Sequence, residues 1–252
     1  MFFGKKKEQA VYEPKEMLLQ ESTPFFLTEA YRSLKANISL SIPKKKDGKA
    51  VSFFITSAFP NEGKSVVSAN LSLMFALSNV KVLLVDADMR KGTSHKYFSL
   101  PYKPGLSELL SGSATLDEVI HSTSVHENLF VISSGTRTPN PYELLGSDSM
   151  ASVYEELSTR FDYIIFDTSP LGMMADCLAL VPYVDGCAIV SSYMGSTYKD
   201  LKNVVGKLQF SHCKVLGVIL NGYEERKKGY GRYGYGKYGY NYRYGDEEPS
   251  EN

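Results

Sequence analysis

A lysine and a serine that follow a glycine, together with three aspartates at the ends of apolar runs, have the types and spacing for phosphate chemistry. In Ala58-Phe-Pro-Asn-Glu-Gly63-Lys64-Ser65 an apolar run, Val51 to Thr56, comes before the segment and a helical pattern, Lys64 to Leu77, comes after it. Between a strand and a helix such a loop turns backbone N–H groups inward, and the helix N-terminus adds partial positive charge. Lys64 would reach terminal phosphates and the Ser65 hydroxyl would hold Mg²⁺. Pro60, Asn61, Glu62, Gly63, Lys64, Ser65 and Val66 are therefore the candidate nucleotide-binding residues. The usual pattern opens on glycine where this sequence has Ala58, but the Gly-Lys-Ser end is intact.

The acids come from two further runs. Val82-Leu-Leu-Val-Asp86-Ala-Asp88-Met-Arg90 ends an apolar strand in two carboxylates, and Tyr163-Ile-Ile-Phe-Asp167 ends another in one. Ligands of an open parallel sheet bind outside the carboxyl ends of the strands, which brings these acids beside the phosphates. A strand-end aspartate by itself is more often a solvated turn or a helix cap. Three at two strand ends, downstream of a Gly-Lys-Ser loop, specify a Mg²⁺-nucleotide site. ATP is the expected nucleotide, because no Asn-Lys-x-Asp guanine-reading motif is present.

The elements that must position these residues alternate short apolar runs with longer amphipathic ones, the pattern of βα units on a parallel sheet. Strands are predicted over Val51 to Thr56, Val82 to Val85, Leu129 to Ile132, Tyr163 to Phe166, Cys187 to Val190 and Val215 to Leu220. Most are apolar throughout, as strands covered by helices on both faces should be. Helices are predicted over Thr28 to Leu40, Lys64 to Leu77, Leu106 to Leu110, Tyr142 to Leu157 and Ser196 to Phe210. The fold class is α/β, a P-loop NTPase fold with a mostly parallel central sheet and helices on both faces. Residues 1–49 form an N-terminal segment with a helix, residues 50–222 the nucleotide-binding domain and residues 223–252 a tail.

Composition removes several alternatives. Lys plus Arg and Asp plus Glu tie at 28 each in 252 residues, so no net field draws the chain to nucleic acid, and no nucleic-acid partner is expected. Its apolar runs are shorter than the roughly 20 residues of a spanning helix, and the N-terminus lacks an apolar signal core. Cys177, Cys187 and Cys213 show no metal-ligand spacing and are read as reduced thiols. From Tyr223 onward the chain holds eight tyrosines and no Leu, Ile, Val, Phe or Met, so a flexible tail is predicted. Tyr230, Tyr233, Tyr235, Tyr238, Tyr240, Tyr242 and Tyr244 are separated mostly by Gly, Arg, Lys or Asn, which suits phosphate acceptors entering a site in extended form. A Tyr/Gly segment that self-associates or stacks on single strands is the alternative.

Taken in order, the Pro60-x-Glu-Gly-Lys-Ser65 loop, the double-Asp strand end with Arg90, Gly105-Leu-Ser-Glu-Leu-Leu-Ser-Gly112, Pro139-Asn-Pro-Tyr-Glu-Leu-Leu145, Asp167-Thr-Ser-Pro170 and the tyrosine cluster form a series. It resembles the bacterial protein-tyrosine kinases of capsule and exopolysaccharide synthesis, in the stand-alone Gram-positive form. That resemblance implies an ATP- and Mg²⁺-dependent kinase that modifies its own tail and regulates polysaccharide chain length or export. Lys64, Asp86 and Asp88 would be catalytic, with Asp86 free to accept the phenolic proton. Ser65, Asp88 and Asp167 would hold Mg²⁺ directly or through water, and Asn221 would contact adenine unless it is only a strand-terminal turn. It also implies a membrane adaptor as activator, an opposing phosphatase, a cytoplasmic location at the membrane's inner face and a ring in which tails dock in trans. Glu29, Arg32 and Lys35 would lie at the ring interface, although their spacing also fits a solvated helix face. The family has arginine at the third position and usually Gly where this chain has Asn61, a residue that tolerates positive φ. Partitioning and cell-division-site ATPases carry a lysine five residues before Lys64. Phe59 stands there, which disfavours the rival reading of an ATPase switch or scaffold.

Overall fold

The structure, a computed structural model, describes residues 13–45 and 47–223. The lysines at 5–7 and the tyrosines from Tyr230 to Tyr244 lie outside the described residues. Seven strands make one sheet: β1 (Val51–Ser57), β2 (Val82–Asp86), β3 (Ile120–Ser122), β4 (Leu129–Ile132), β5 (Tyr163–Asp167), β6 (Gly186–Ser192) and β7 (Val215–Asn221). Their order is β3-β4-β2-β5-β1-β6-β7, parallel throughout except for β3 against β4.

Alternation of side chains along each strand sorts the sheet's apolar residues into two cores. Phe53, Ile55, Val82, Leu84, Tyr163 and Ile165 enter one, where they meet Ile38, Val67, Leu71, Phe75 and Phe98. Phe54, Leu83, Val85, Ile164 and Phe166 enter the other, against Leu106, Leu109, Leu157, Val204 and Leu208. β1, β2 and β5 are buried along their whole length; β2 and β5 are apolar up to their terminal aspartates, and the buried hydroxyls of Ser52, Thr56 and Ser57 in β1 each have a hydrogen-bond partner. Each such side chain contributes about 1.5–3 kcal/mol relative to exposure. β7, at the sheet edge, is only partly covered, and Val218 and Leu220 are exposed.

The first core is roofed by α1 (Phe25–Ser41), α2 (Lys64–Ala76) and α3 (Ser94–Phe98). On the other face lie α4 (Leu106–Leu110), α5 (Leu116–Val119), α6 (Pro141–Leu145), α7 (Asp148–Arg160) and α8 (Tyr198–Phe210). Turns of 3₁₀ helix occupy Pro14–Met17 and Asp176–Tyr183. The helix predicted over Tyr142 to Leu157 is two helices, α6 and α7. Proline starts the first, and Ser147 caps the second by accepting a hydrogen bond from the Met150 N–H at 3.3 Å. The sequence pattern marks none of β3, α3, α5 and the two 3₁₀ turns: β3 and α5 span three and four residues, and Asp176–Tyr183 carries Pro182 and turns every three residues rather than every 3.6.

Candidate active site

The loop between β1 and α2 is shaped by two residues in the left-handed region. Asn61 has φ 63° and Gly63 φ 92°. Asparagine adopts this conformation with little penalty, as its sequence position anticipated. Gly63 has a second constraint, since a Cβ there would lie 1.9 Å from Nδ2 of Asn221. Asn221, at the end of β7, donates from that atom to the Glu62 carbonyl at 3.1 Å and so ties the edge strand to the loop. Pro60, Asn61, Gly63, Lys64, Ser65 and Val66 line a cleft of about 420 Å³. Glu62 does not. Its buried carboxylate accepts the Phe59 N–H at 2.9 Å and the Ser196 hydroxyl, bracing the loop from behind. The candidate nucleotide-binding set is thus brought together except for the side chain of Glu62, which turns away because it closes the loop on itself.

Register decides the placement of the acids. β2 pairs with β5 so that Asp86 stands directly opposite Asp167, and both are buried. Asp167 accepts from the Ser68 hydroxyl at 3.2 Å and from Ser94 Oγ at 3.4 Å. Burial pushes its carboxyl up to about 6, against the pull of Lys64 and the Ser65 hydroxyl. Burial and then the charge of Asp167 hold Asp86 well above the ordinary carboxylate range. Asp86 accepts the Ser94 N–H at 2.9 Å and the Asp88 N–H at 3.3 Å. It is buried and does not line the cleft. Asp88 does line the cleft, its Oδ1 accepting the N–H groups of Arg90 at 3.2 Å and Lys91 at 2.9 Å.

Several cleft residues carried no motif. Lys91, Thr93, Lys96, Tyr97, Met173 and Met174 line it, and Tyr97 has its phenol pushed up to about 12 by burial and then by Asp167. Pro14 of the first 3₁₀ turn closes one side. Arg90 reaches the nearly buried Asp176 with two hydrogen bonds, 2.6 and 3.0 Å, pinning the turn after β2 to the second 3₁₀ helix. Lys64, Lys91, Lys96, the Ser65 hydroxyl and the Asp88 carboxylate line one cleft, with Asp167 buried, a donor set suited to a polyphosphate with a hard cation. Among the described residues no group of three or more His, Cys, Asp or Glu could hold a metal by itself. A Mg²⁺ at Ser65, Asp88 and Asp167 would draw its other donors from phosphates and water, its usual mode.

The predicted interface residues lie elsewhere, on α1. Glu29 and Arg32 pair with one another, and Lys35 reaches the Ser78 hydroxyl. The opposite side of α1 packs through Leu34 and Ile38, and burial pushes the Tyr31 phenol, which bonds Asn70, up to about 12.

A family model described as an AAA domain matches residues 61–192. The tyrosine-protein kinase YwqD of Bacillus subtilis strain 168 is 38% identical over 209 residues, covering 82% of this chain and 86% of that protein. This chain belongs to the bacterial tyrosine-protein kinase family. The tyrosine-protein kinase ptk of Acinetobacter johnsonii is 36% identical over 202 residues, 80% of this kinase but 27% of that longer protein. The kinase domain of the Escherichia coli tyrosine kinase ETK superposes with a TM-score of 0.74 at 31% identity, covering 86% of this kinase and 87% of that chain. The cell division ATPase MinD of Pyrococcus furiosus, at 24% identity and a TM-score of 0.57, covering 68% of this kinase and 71% of that chain, shares the fold. Among the described residues no helix of this kinase is long and apolar enough to cross a membrane.

Proposed function

We propose that this kinase transfers the γ-phosphoryl group of ATP to tyrosines of its C-terminal cluster, Tyr230 to Tyr244, and through that modification regulates capsular or exopolysaccharide synthesis. The observation that carries the reading is the convergence of Lys64, Ser65 and Asp88 on one cleft above the buried Asp86–Asp167 pair. Lys64 would neutralise the β and γ phosphates, and the loop's backbone N–H groups would orient them. Ser65, Asp88 and Asp167 would hold Mg²⁺, which when bound neutralises charge developing on the transferred group. Asn221 would lie near the adenine. Asp88 on the wall and Asp86 beneath it are the carboxylates available to take up the phenolic proton. The raised proton affinity of Asp86 suits that task, but its burial requires the turn at Ser94 to withdraw.

In this reading the kinase works at the inner face of the membrane with a membrane adaptor as activator, and a phosphatase reverses its action. Copies assemble in a ring through Glu29, Arg32 and Lys35, with tails docking in trans. Each phosphate adds about −1.5 to −2 charges and loosens the ring. Incubating the full chain with γ-labelled ATP and Mg²⁺, followed by phosphoamino-acid analysis, tests the reaction. Phosphotyrosine that is lost in Lys64→Met is expected. Released inorganic phosphate with unlabelled protein would overturn the kinase reading and favour an ATPase switch.

A further inference from the structure

A second cleft, of about 460 Å³, opens beside the first and shares Lys96 with it. Its walls are Gly92, His95, Lys96, Tyr102, Lys103 and Arg137. Gly92 on the wall of the second cleft sits in the chain between Lys91 and Thr93 of the first, and a Cβ there would lie 2.1 Å from Oγ of Ser134 and 2.8 Å from Oδ2 of Asp86. Three cations face this space, and among the described residues none of them takes part in an ion pair. His95, packed against Tyr102 with ring centroids 5.0 Å apart and planes tilted by 54°, buries an Nδ1 that has no hydrogen-bond partner among the described residues. Three uncompensated positive charges around a concave surface attract an anionic segment, and the low-dielectric walls focus that attraction.

The chain carries such a segment, Asp246-Glu-Glu-Pro-Ser-Glu251, directly after its tyrosines. Beyond Glu224 and Glu225, charge along the tail is sorted. Arg232, Lys237 and Arg243 interleave with the tyrosines, and the acids follow. A basic cleft would repel the tyrosine stretch and attract the end, so the sorting gives the tail a direction as well as an affinity. Tyr244 and Tyr242 precede Asp246 by two and four residues, within about 7 and 14 Å of it along an extended chain at about 3.3–3.6 Å per residue.

We propose that the cleft of Lys96, Lys103 and Arg137 docks the acidic end of the C-terminal tail, Asp246 to Glu251, and thereby presents the neighbouring tyrosines to the phosphate cleft. This rests on the kinase reading for its consequence, but the docking itself does not. Zero-length carbodiimide cross-linking of the full-length wild type at low salt, read by peptide mass spectrometry, tests docking without any phosphoryl transfer. Amide links from Lys96 or Lys103 to Asp246, Glu247, Glu248 or Glu251 are expected, and they should fade as salt is raised. Links from those acids spread over lysines outside the cleft would overturn the proposal. For the consequence, Lys103→Glu with Arg137→Glu should slow phosphorylation of Tyr242 and Tyr244 by at least about tenfold, with nucleotide affinity unchanged. Adding Asp246→Lys, Glu247→Lys and Glu248→Lys to that variant should restore the rate. A rate unaffected by the cleft reversal, or one that the compensating tail reversal fails to restore, contradicts the proposal. Absence of phosphotyrosine in the wild type would instead defeat the kinase reading and leave the cross-linking result to stand or fall alone.

Discussion

Two sets of three charged residues in this kinase, one base with two acids and one acid with two bases, have opposite surroundings. Lys64 lines the phosphate cleft, and the carboxylates of Asp86 and Asp167 are buried beside one another, with Lys64 pulling on Asp167. Glu29, Arg32 and Lys35 lie on the outer side of α1, where the Arg32 side chain is 59% exposed. At about 4 Å a charge pair is worth about 1 kcal/mol in water and several times that near a protein interior, so the same residue types do different work in the two places. Beneath the cleft, like charges are forced together at a cost in stability that a bound cation would relieve. On α1 they form an exposed pair that screening and side-chain entropy nearly cancel.

Substituting Lys64 should produce the largest effect. Lys64→Met is expected to lower tyrosine phosphorylation by about a thousandfold, equivalent to about 4 kcal/mol, with circular dichroism unchanged. A loss of only a few-fold would place Lys64 outside the phosphate site.

Asp167→Asn should have opposite effects on activity and stability. Phosphoryl transfer should fall by at least about tenfold, while the nucleotide-free chain becomes more stable at neutral pH by about 1–3 kcal/mol. The sign follows from the raised folded-state value of about 6. Between roughly pH 4 and that value the unfolded wild type has lost the proton that the folded chain keeps, so wild-type stability falls across this window. The advantage of the Asn variant is therefore full above about pH 6 and gone near pH 4 in thermal melts. An Asn variant less stable than wild type at neutral pH would show that Asp167 is satisfied rather than strained.

Gly63→Ala should be milder, because Asn221 can shift. The added methyl meets Nδ2 of Asn221 and demands a left-handed alanine. About 1–2 kcal/mol of lost stability and nucleotide binding weakened by about tenfold are expected by calorimetry. Arg32→Ala marks the small end, with less than about 1 kcal/mol lost in denaturant titration at low protein concentration. A larger loss there would erase the contrast between the two regions.

The parts legible in the sequence were those whose function or burial demands an uninterrupted pattern. β4 and α4 fall where the apolar runs placed them, and the remaining long strands differ by a residue or two at their ends. Ser65 and Asp88 reach the cleft because a strand end followed by a helix start leaves little freedom. Asp86 ends its strand as the sequence pattern placed it, but only the β2–β5 register reveals that it sits against Asp167 below the surface. The contributions of Ser68 and Ser94 to holding Asp167 depend on α2 and α3 crossing the sheet, and one hydroxyl in a helix carries no local sign of that. Tyr97 and Pro14 reach the cleft by the same tertiary route, and the join between α6 and α7 was hidden because Gly146-Ser147 sits in an otherwise helical pattern.

A structure of the full chain grown with Mn²⁺ and a non-hydrolysable ATP analogue tests the central claim most directly, because the metal can be located by its anomalous signal without reference to the protein coordinates. The account predicts the strongest peak beside the Ser65 hydroxyl, facing Asp88 and Asp167, with the terminal phosphate on Lys64. A metal bound away from these oxygens, or phosphates lying outside the turn from Asn61 to Ser65, would contradict it.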